Sequence, residues 1–104
     1  MEKLALYGYS GFDNQNMELF KKTLLPSDGL HVILMQEAVV GSLKTGFSSY
    51  YDDLISQGTK IYCVKEDLHA RGFSDSDLKE EIEIVDYGQV IDHIEQSKKL
   101  ISWL

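Results

Sequence analysis

Cys63 is the only cysteine of this sequence, and its thiol is the most nucleophilic type of side chain that the sequence contains. A cysteine thiolate that is accessible and stabilised by cations or by a helix N-terminus can attack and carry a sulfane sulfur atom. Lys65 and Glu66 follow closely enough to keep this interpretation open. However, Cys63 lies between Tyr62 and Val64 in an apolar run, where burial raises a thiol pKa and hinders approach. The pattern therefore predicts a core residue, with a thiol site at Cys63 as the alternative.

A second candidate site consists of the charged residues that follow this run, Glu66, Asp67 and Arg71. Asp67 and Arg71 are four positions apart, so their side chains can pair on one face of a helix. One interpretation is a capped, ion-paired turn that holds a loop in shape. The alternative is a subunit interface at the carboxyl edge of a sheet, because Arg is enriched in such contacts. Neither interpretation requires a catalytic residue.

The sequence predicts no metal site and no cofactor. His31 stands alone at the edge of a strand, without other His or Cys residues at metal-site spacing. His69 and His93 are predicted to be solvated helix residues. The segment Gly8-Tyr9-Ser10-Gly11 is only a G-x-x-G pattern, which lacks the Gly-Lys-Ser/Thr of a phosphate-binding loop and indicates a tight turn.

These residues are carried by alternating strand and helix patterns. β-Branched and apolar runs predict strands at residues 3–9, 30–35, 60–64 and 82–85, with a possible fifth at 100–104. Helical spacing lies between them, at 13–25, 38–43, 47–55, 66–71 and 88–97. In the first of these helices an apolar stripe is predicted to face the core: Met17, Phe20, Leu24 and Leu25. This order predicts an α/β fold, a three-layer α/β/α arrangement around a mainly parallel four- to five-stranded sheet. A single domain over residues 1–104 is expected.

Composition limits the possible partners. The formal net charge is −7, and a nucleic-acid surface needs clustered Lys and Arg, so direct nucleic-acid binding is not expected. The sequence has no apolar run of membrane-spanning length and no signal-peptide pattern. One cysteine cannot form an internal disulfide, which fits a reducing compartment. We therefore expect a cytoplasmic protein that does not act at a membrane.

Three segments of the chain resemble the DsrH/TusB family of sulfur-relay subunits. IYCVKEDLHARGF (61–73) resembles the family's strand followed by D-L-x-A-R-G, and IEIVDYGQVIDHI (82–94) its V-D-Y element, with an apolar Ser-Trp-Leu end beyond. LHVILMQEAVVGSLK (30–44) resembles a strand ending in D-G-V, with Glu37-Ala38 in place of Asp-Gly. Ser10-Gly11-Phe12 is similar to the family's Ser-Pro-aromatic loop, with glycine where proline is common.

The resemblance implies a DsrEFH-like fold and a hetero-oligomer with DsrE/TusD-like and DsrF/TusC-like subunits, or a homo-oligomer when the chain is alone. Such complexes pass persulfide sulfur from a carrier protein toward 2-thiouridine at the tRNA wobble position, or serve dissimilatory sulfur oxidation. The sulfur-carrying cysteine belongs to the DsrE/TusD-type subunit. Some DsrH chains have a cysteine in the first helix, where Phe20 is the nearest match here. The resemblance thus implies a supporting subunit without catalytic activity; a stand-alone sulfurtransferase or thiol carrier using Cys63 is the alternative.

Overall fold

A parallel β-sheet forms the centre of the computed structural model, which describes residues 2–9, 18–20, 22, 29–44 and 51–104. Within these residues the sheet has five strands: β1 (Lys3–Tyr7), β2 (Leu30–Leu34), β3 (Lys60–Val64), β4 (Glu83–Val85) and β5 (Lys99–Trp103). Their order is β4-β3-β2-β1-β5, and every neighbouring pair is parallel. The four expected strands and the possible fifth all form, so the prediction of a parallel α/β sheet is confirmed.

Short helices connect the strands. Those whose bounds fall within the described residues are α1 (Asp52–Ser56), α2 (Lys65–Ala70) and α3 (Tyr87–Gln96), with 3-10 helices at Gln36–Ser42 and Asp75–Asp77. The helix expected at 38–43 is therefore a 3-10 helix that begins two residues earlier. Of the helix expected at 13–25, residues 18–20 and 22 are described and are helical. The loop at 10–12, and Phe47 in the helix expected at 47–55, lie outside the described residues.

The beginning of α3 has a clear local cause. Asp86 is its N-cap: its Oδ1 accepts a hydrogen bond from the Gln89 amide (2.8 Å). In turn, Oε1 of the Gln89 side chain accepts a hydrogen bond from the backbone amide of Asp86 (2.9 Å). This reciprocal capping box satisfies two amide groups that a helix start leaves free. The end of α2 also has a local cause. Gly72, two residues after the helix, has a positive φ of 84° and ends the helical turn, as its position predicts.

Two hydrophobic cores lie on opposite faces of the sheet, because side chains alternate along each strand. We call the first face the one that contains Ala5, Val32 and Cys63, which pack against the 3-10 helix, α1 and α2. The second face contains Leu6, Ile33 and Tyr62, and α3 covers it through Val90 and Ile94. The central strands are buried on both sides, which explains their nearly continuous apolar sequences. The resulting layers are helix, sheet and helix, as predicted.

Candidate functional site

Polar and charged side chains meet where three parallel strands end. β2 leads into Gln36 and Glu37, β3 leads into Glu66 and Asp67, and β4 leads into Tyr87. Arg71, just beyond α2, completes the group. Because all the strands run in one direction, the residues after them are brought to the same edge of the sheet. We call these six residues the carboxyl-edge cluster.

Asp67 is the centre of the cluster. Its Oδ2 accepts a hydrogen bond from the Gln36 amide (2.7 Å), and its Oδ1 accepts from the Tyr87 hydroxyl (2.7 Å). The hydrogen bond to Asp67 raises the pKa of Tyr87 above its usual value. The neighbouring Glu66 accepts from the Tyr87 amide through Oε2 (3.2 Å). The two acids of α2 thus join the start of α3 to the loop after β2.

Arg71 does not form the side-chain pair with Asp67 that their spacing predicts. Its Nη2 instead donates to Oε1 of Glu37 (2.7 Å), and its Nη1 donates to the backbone carbonyl of Asp67 (3.0 Å). The physical reason is that the fold supplies other partners: Glu37 lies within hydrogen-bond distance of the Arg71 guanidinium, while Gln36 and Tyr87 donate to the carboxylate oxygens of Asp67. Arg71 therefore links α2 to the loop after β2, and the ion pair spans two elements rather than one helix.

Gln36 holds an unusual backbone conformation in the cluster. Its φ is 52°, the only positive value recorded for a non-glycine residue in the described ranges. Such a conformation persists when the surroundings hold it, and the hydrogen bond from its amide to Asp67 does so. Its side chain lies against Gly8, where an added Cβ would come within 2.6 Å of Gln36 Oε1. The site thus reaches the end of β1.

Cys63 lies on the first face of the sheet with 0% exposure. Burial raises the pKa of its thiol to about 11. The hydroxyl of Ser42 lies 3.5 Å from the sulfur, and it also donates to the Val39 carbonyl (2.5 Å). The thiol is therefore enclosed in the core, while the carboxyl-edge cluster lies beyond the end of the same strand.

Phe20, the nearest match that the resemblance suggested for a first-helix cysteine, is also enclosed. Phe20 is 1% exposed. Its ring packs against Tyr7 (4.6 Å between centroids) and meets Trp103 edge-on (5.6 Å). An aromatic core residue occupies this place, in agreement with the predicted core stripe; Met17, Leu24 and Leu25 lie outside the described residues.

The histidines differ from the prediction in one respect. His69 is exposed and contacts Asp75 (2.6 Å), as expected for a solvated residue. His93 is only half-exposed: both its ring nitrogens are buried, and its ring meets Tyr62 edge-on (4.6 Å between centroids). The reason is that α3 turns this position toward the second face of the sheet. His31 is hydrogen-bonded: its Nδ1 lies 3.0 Å from the Tyr62 hydroxyl.

Other kinds of site find little support in the described part of the chain. A cavity of about 150 Å³ is lined by Leu43, Lys44, Phe73 and Asp77, and none of the cluster residues lines it. Among the described residues, no three His, Cys, Asp or Glu side chains converge as metal ligands would. None of the helices described is both long enough and apolar enough to cross a bilayer.

The fold is similar to that of two solved structures. The ychN protein from E. coli matches with a TM-score of 0.78 and 16% identity, covering 99% of each chain. Protein MTH1491 from Methanobacterium thermoautotrophicum, a protein of unknown function, matches with a TM-score of 0.71 and 16% identity over 95% of this chain and 99% of that one. At these identities the likeness concerns the fold alone. Together with the parallel sheet, it defines a three-layer α/β protein with the fold of these two structures.

The sequence specifies the family within that fold. The family model described as DsrH like protein matches residues 9–100, and the chain belongs to this family. It is similar to Protein TusB from Buchnera aphidicola subsp. Baizongia pistaciae, with 27% identity covering 85% of this chain and 87% of that protein. It is also similar to Protein TusB from Photorhabdus laumondii subsp. laumondii, with 25% identity covering 72% and 76%.

Proposed function

We propose that this chain is a non-catalytic subunit of a sulfur-relay complex of the TusBCD or DsrEFH type. It supports persulfide transfer toward 2-thiouridine at the tRNA wobble position, and its partners are DsrE/TusD-like and DsrF/TusC-like chains. The similarity to two TusB proteins favours this branch over dissimilatory sulfur oxidation. The complex is cytoplasmic, and the sulfur-carrier protein contacts another subunit.

The observation that carries the proposal is the burial of Cys63 in a chain of the DsrH family. A relay cysteine must reach a donor and an acceptor in turn, and it must be a thiolate when it attacks. The 0% exposure of Cys63 and its raised pKa of about 11 oppose both requirements. The reactive thiol is therefore supplied by a different subunit, and this chain contributes shape and surface. We propose that residues 1–104 act as one domain in the assembly.

The carboxyl-edge cluster is the proposed contact surface for these partners. Glu66 and Glu37 are exposed there, while Asp67 and Arg71 are half-buried and held by hydrogen bonds. Such an arrangement presents charge in a fixed geometry, which favours specific recognition between proteins. The half-exposed ring of Tyr87 (45%) adds an aromatic residue of the kind that is enriched at interfaces.

The test is assembly with DsrE/TusD-like and DsrF/TusC-like proteins from the same genome. The wild-type chain is expected to co-elute with both in size-exclusion chromatography, and Arg71→Ala is expected to weaken this association at least about tenfold while remaining folded. Lys60→Ala is the matched control, because it removes an exposed cation at the opposite end of the sheet. A wild-type chain that binds neither partner would contradict the proposal.

Mass spectrometry after treatment with a persulfide donor separates this function from the alternative. We expect the mass of one added sulfur atom on the DsrE/TusD-like chain and none on Cys63. An adduct on Cys63 of the native, isolated chain would instead identify a stand-alone sulfurtransferase or thiol carrier. The Cys63→Ala variant, in complex with its partners, is expected to keep the sulfur transfer of the wild-type complex.

A further inference from the structure

Strand β5 is an edge of the sheet, bordered on one side by β1 alone. The amide of Lys99 donates to the carbonyl of Glu2 (3.1 Å), and the carbonyl of Trp103 accepts from the amide of Gly8 (3.0 Å). Since the backbone groups of alternate residues point to the same side of a strand, the odd-numbered residues of β5 are the ones bonded to β1. The even-numbered residues direct their N–H and C=O groups outward.

Leu100 and Ser102 are therefore the residues of β5 whose backbone groups have no partner among the described residues. Both are exposed, Leu100 to 45%, and neither forms a backbone hydrogen bond on its outer side to any residue in the described ranges. An edge of this kind is a template for another strand, because a second chain can satisfy its donors and acceptors directly.

The other edge of the sheet is protected, which makes the openness of β5 informative. β4 has only three residues, and acids lie in and beside it: Glu80, Glu81, Glu83 and Asp86. Short length and charge are devices that prevent edge pairing. β5 has five residues and no proline; its one charged residue, Lys99, is at the start of the strand, and residues 100–103 are Leu, Ile, Ser and Trp.

We propose that β5 pairs antiparallel with β5 of a second copy of this chain, about a twofold axis at Ile101. In this register Leu100 lies opposite Ser102 of the second copy, and the outward N–H and C=O groups of each bond to the other. Both residues whose groups are free in one copy are then satisfied by the other copy. Ile101 lies opposite Ile101 of the second copy in a non-hydrogen-bonded pair, with Cα atoms about 4.5 Å apart.

Charge also fits a second copy in this orientation. Lys98 forms an ion pair with Glu2 of its own chain (3.0 Å), and the antiparallel register puts the Lys98 and Lys99 residues of the two copies at opposite ends of the paired strands, so like charges are kept apart. Antiparallel pairing places Lys99 beside Trp103 of the second copy, where a cation–π contact is favourable. Parallel pairing would place Lys99 beside Lys99. This inference does not rest on the proposed function and can fail or hold separately from it.

The first test is the mass of the isolated chain in solution, measured by light scattering across a concentration series. We expect twice the 11.8 kDa of one chain. Ser102→Pro removes an outward N–H and places a ring on the outer side, while the bonds to β1 remain, so this variant is expected to be folded and monomeric. Ser102→Ala keeps the N–H and is expected to stay dimeric. A monomeric wild-type chain, or a Ser102→Pro variant that remains dimeric, would overturn the proposal.

The second test fixes the register and does not depend on the folding of the proline variant. Ile101→Cys places two thiols opposite each other across the axis, so mild oxidation is expected to cross-link the two copies. Leu100→Cys is the matched control: its counterpart in the second copy lies diagonally, roughly 7–8 Å away, beyond the usual span of a disulfide. Absence of cross-linking in Ile101→Cys, or equal cross-linking in both variants, would refute the proposed pairing.

Discussion

At the scale of single residues, the surroundings of Cys63 decide its chemistry. The side chains of the first-face core enclose the sulfur, and the same enclosure raises the pKa of the thiol to about 11. At neutral pH such a thiol is almost entirely protonated, and the nucleophile in sulfur transfer is the thiolate. Lys65 and Glu66, which kept the alternative open, begin α2 beyond the buried end of the strand and are exposed. The local environment therefore favours a packing role.

This environment predicts slow thiol modification. In the native protein, a bulky maleimide is expected to label Cys63 at least about 100-fold more slowly than an ordinary exposed cysteine, from the raised pKa alone. A cysteine at an exposed position in the Cys63→Ala background, Ser76→Cys, provides the reference rate. The rates are measured by mass spectrometry against time, and equal rates in the two proteins would contradict the prediction.

His31 leads to a pH dependence of stability. Burial, first of all, lowers the pKa of His31, so the folded state binds its proton less readily than the unfolded chain, whose histidine titrates at about 6.5. The contribution of this pKa difference to the free energy of unfolding is fully present above about pH 6.5. It is lost as the pH falls toward the lower pKa of the folded state. We expect the free energy of unfolding, measured with urea, to decrease between about pH 7 and pH 5.5.

The variant His31→Gln isolates this contribution. It removes the titrating ring, while His93, His69 and the acids remain, so its free energy of unfolding is expected to depend less steeply on pH in the same interval. Both proteins are compared in one buffer series at constant ionic strength. A slope as steep as that of the wild-type protein would show that another group is responsible.

At the scale of elements, the 3-10 helix of residues 36–42 depends on a close contact with Tyr51. A Cβ added at Gly41 would lie 2.6 Å from a carbon of the Tyr51 ring. The ring is 0% exposed, and its hydroxyl donates to the Ala38 carbonyl (3.1 Å), so it has little room to move. Glycine at position 41 therefore lets the helix approach the core.

This contact predicts the cost of a single methyl group. Gly41→Ala is expected to lower the free energy of unfolding by about 1–3 kcal/mol through overpacking. Gly88→Ala is the control: it lies in the first turn of α3, where the nearest atom, Asp86 Oδ1, is 3.2 Å from an added Cβ and alanine is the better helix former. Chemical denaturation of both variants measures the difference. Equal free energies of unfolding for the two variants would mean that the Tyr51 ring moves aside without destabilising the fold.

The elements also show how far sequence patterns reach. The strands and α3 follow from local signals, namely apolar runs and a capping residue, so their ends agree with the prediction to within two residues. The cluster depends on which loops the fold brings together. Glu66, Asp67 and Arg71 lie within six residues of sequence and are identifiable from it, whereas Gln36 and Tyr87 are 31 and 20 residues from Asp67. No local pattern reports such contacts, nor does one report that the fold places Glu37 within hydrogen-bond distance of Arg71.

At the scale of the whole molecule, the balance of charge predicts which partners are excluded. With 17 acidic and 10 basic residues, the chain repels a polyanion. We expect no retardation of tRNA by the isolated chain in a native gel, even at low salt, where such binding is strongest. A basic protein of similar size serves as the positive control. Retardation that disappears as salt is added would contradict this prediction and indicate phosphate contacts.

The order of the strands has a consequence for how the protein is made. β1, near the beginning of the chain, lies between β2 and β5, the last strand. During synthesis on the ribosome, one side of β1 therefore lacks its hydrogen-bonding neighbour until residues 99–103 have emerged. Completion of the sheet is consequently a late, long-range event, and nascent chains that stall before β5 would be substrates for chaperones.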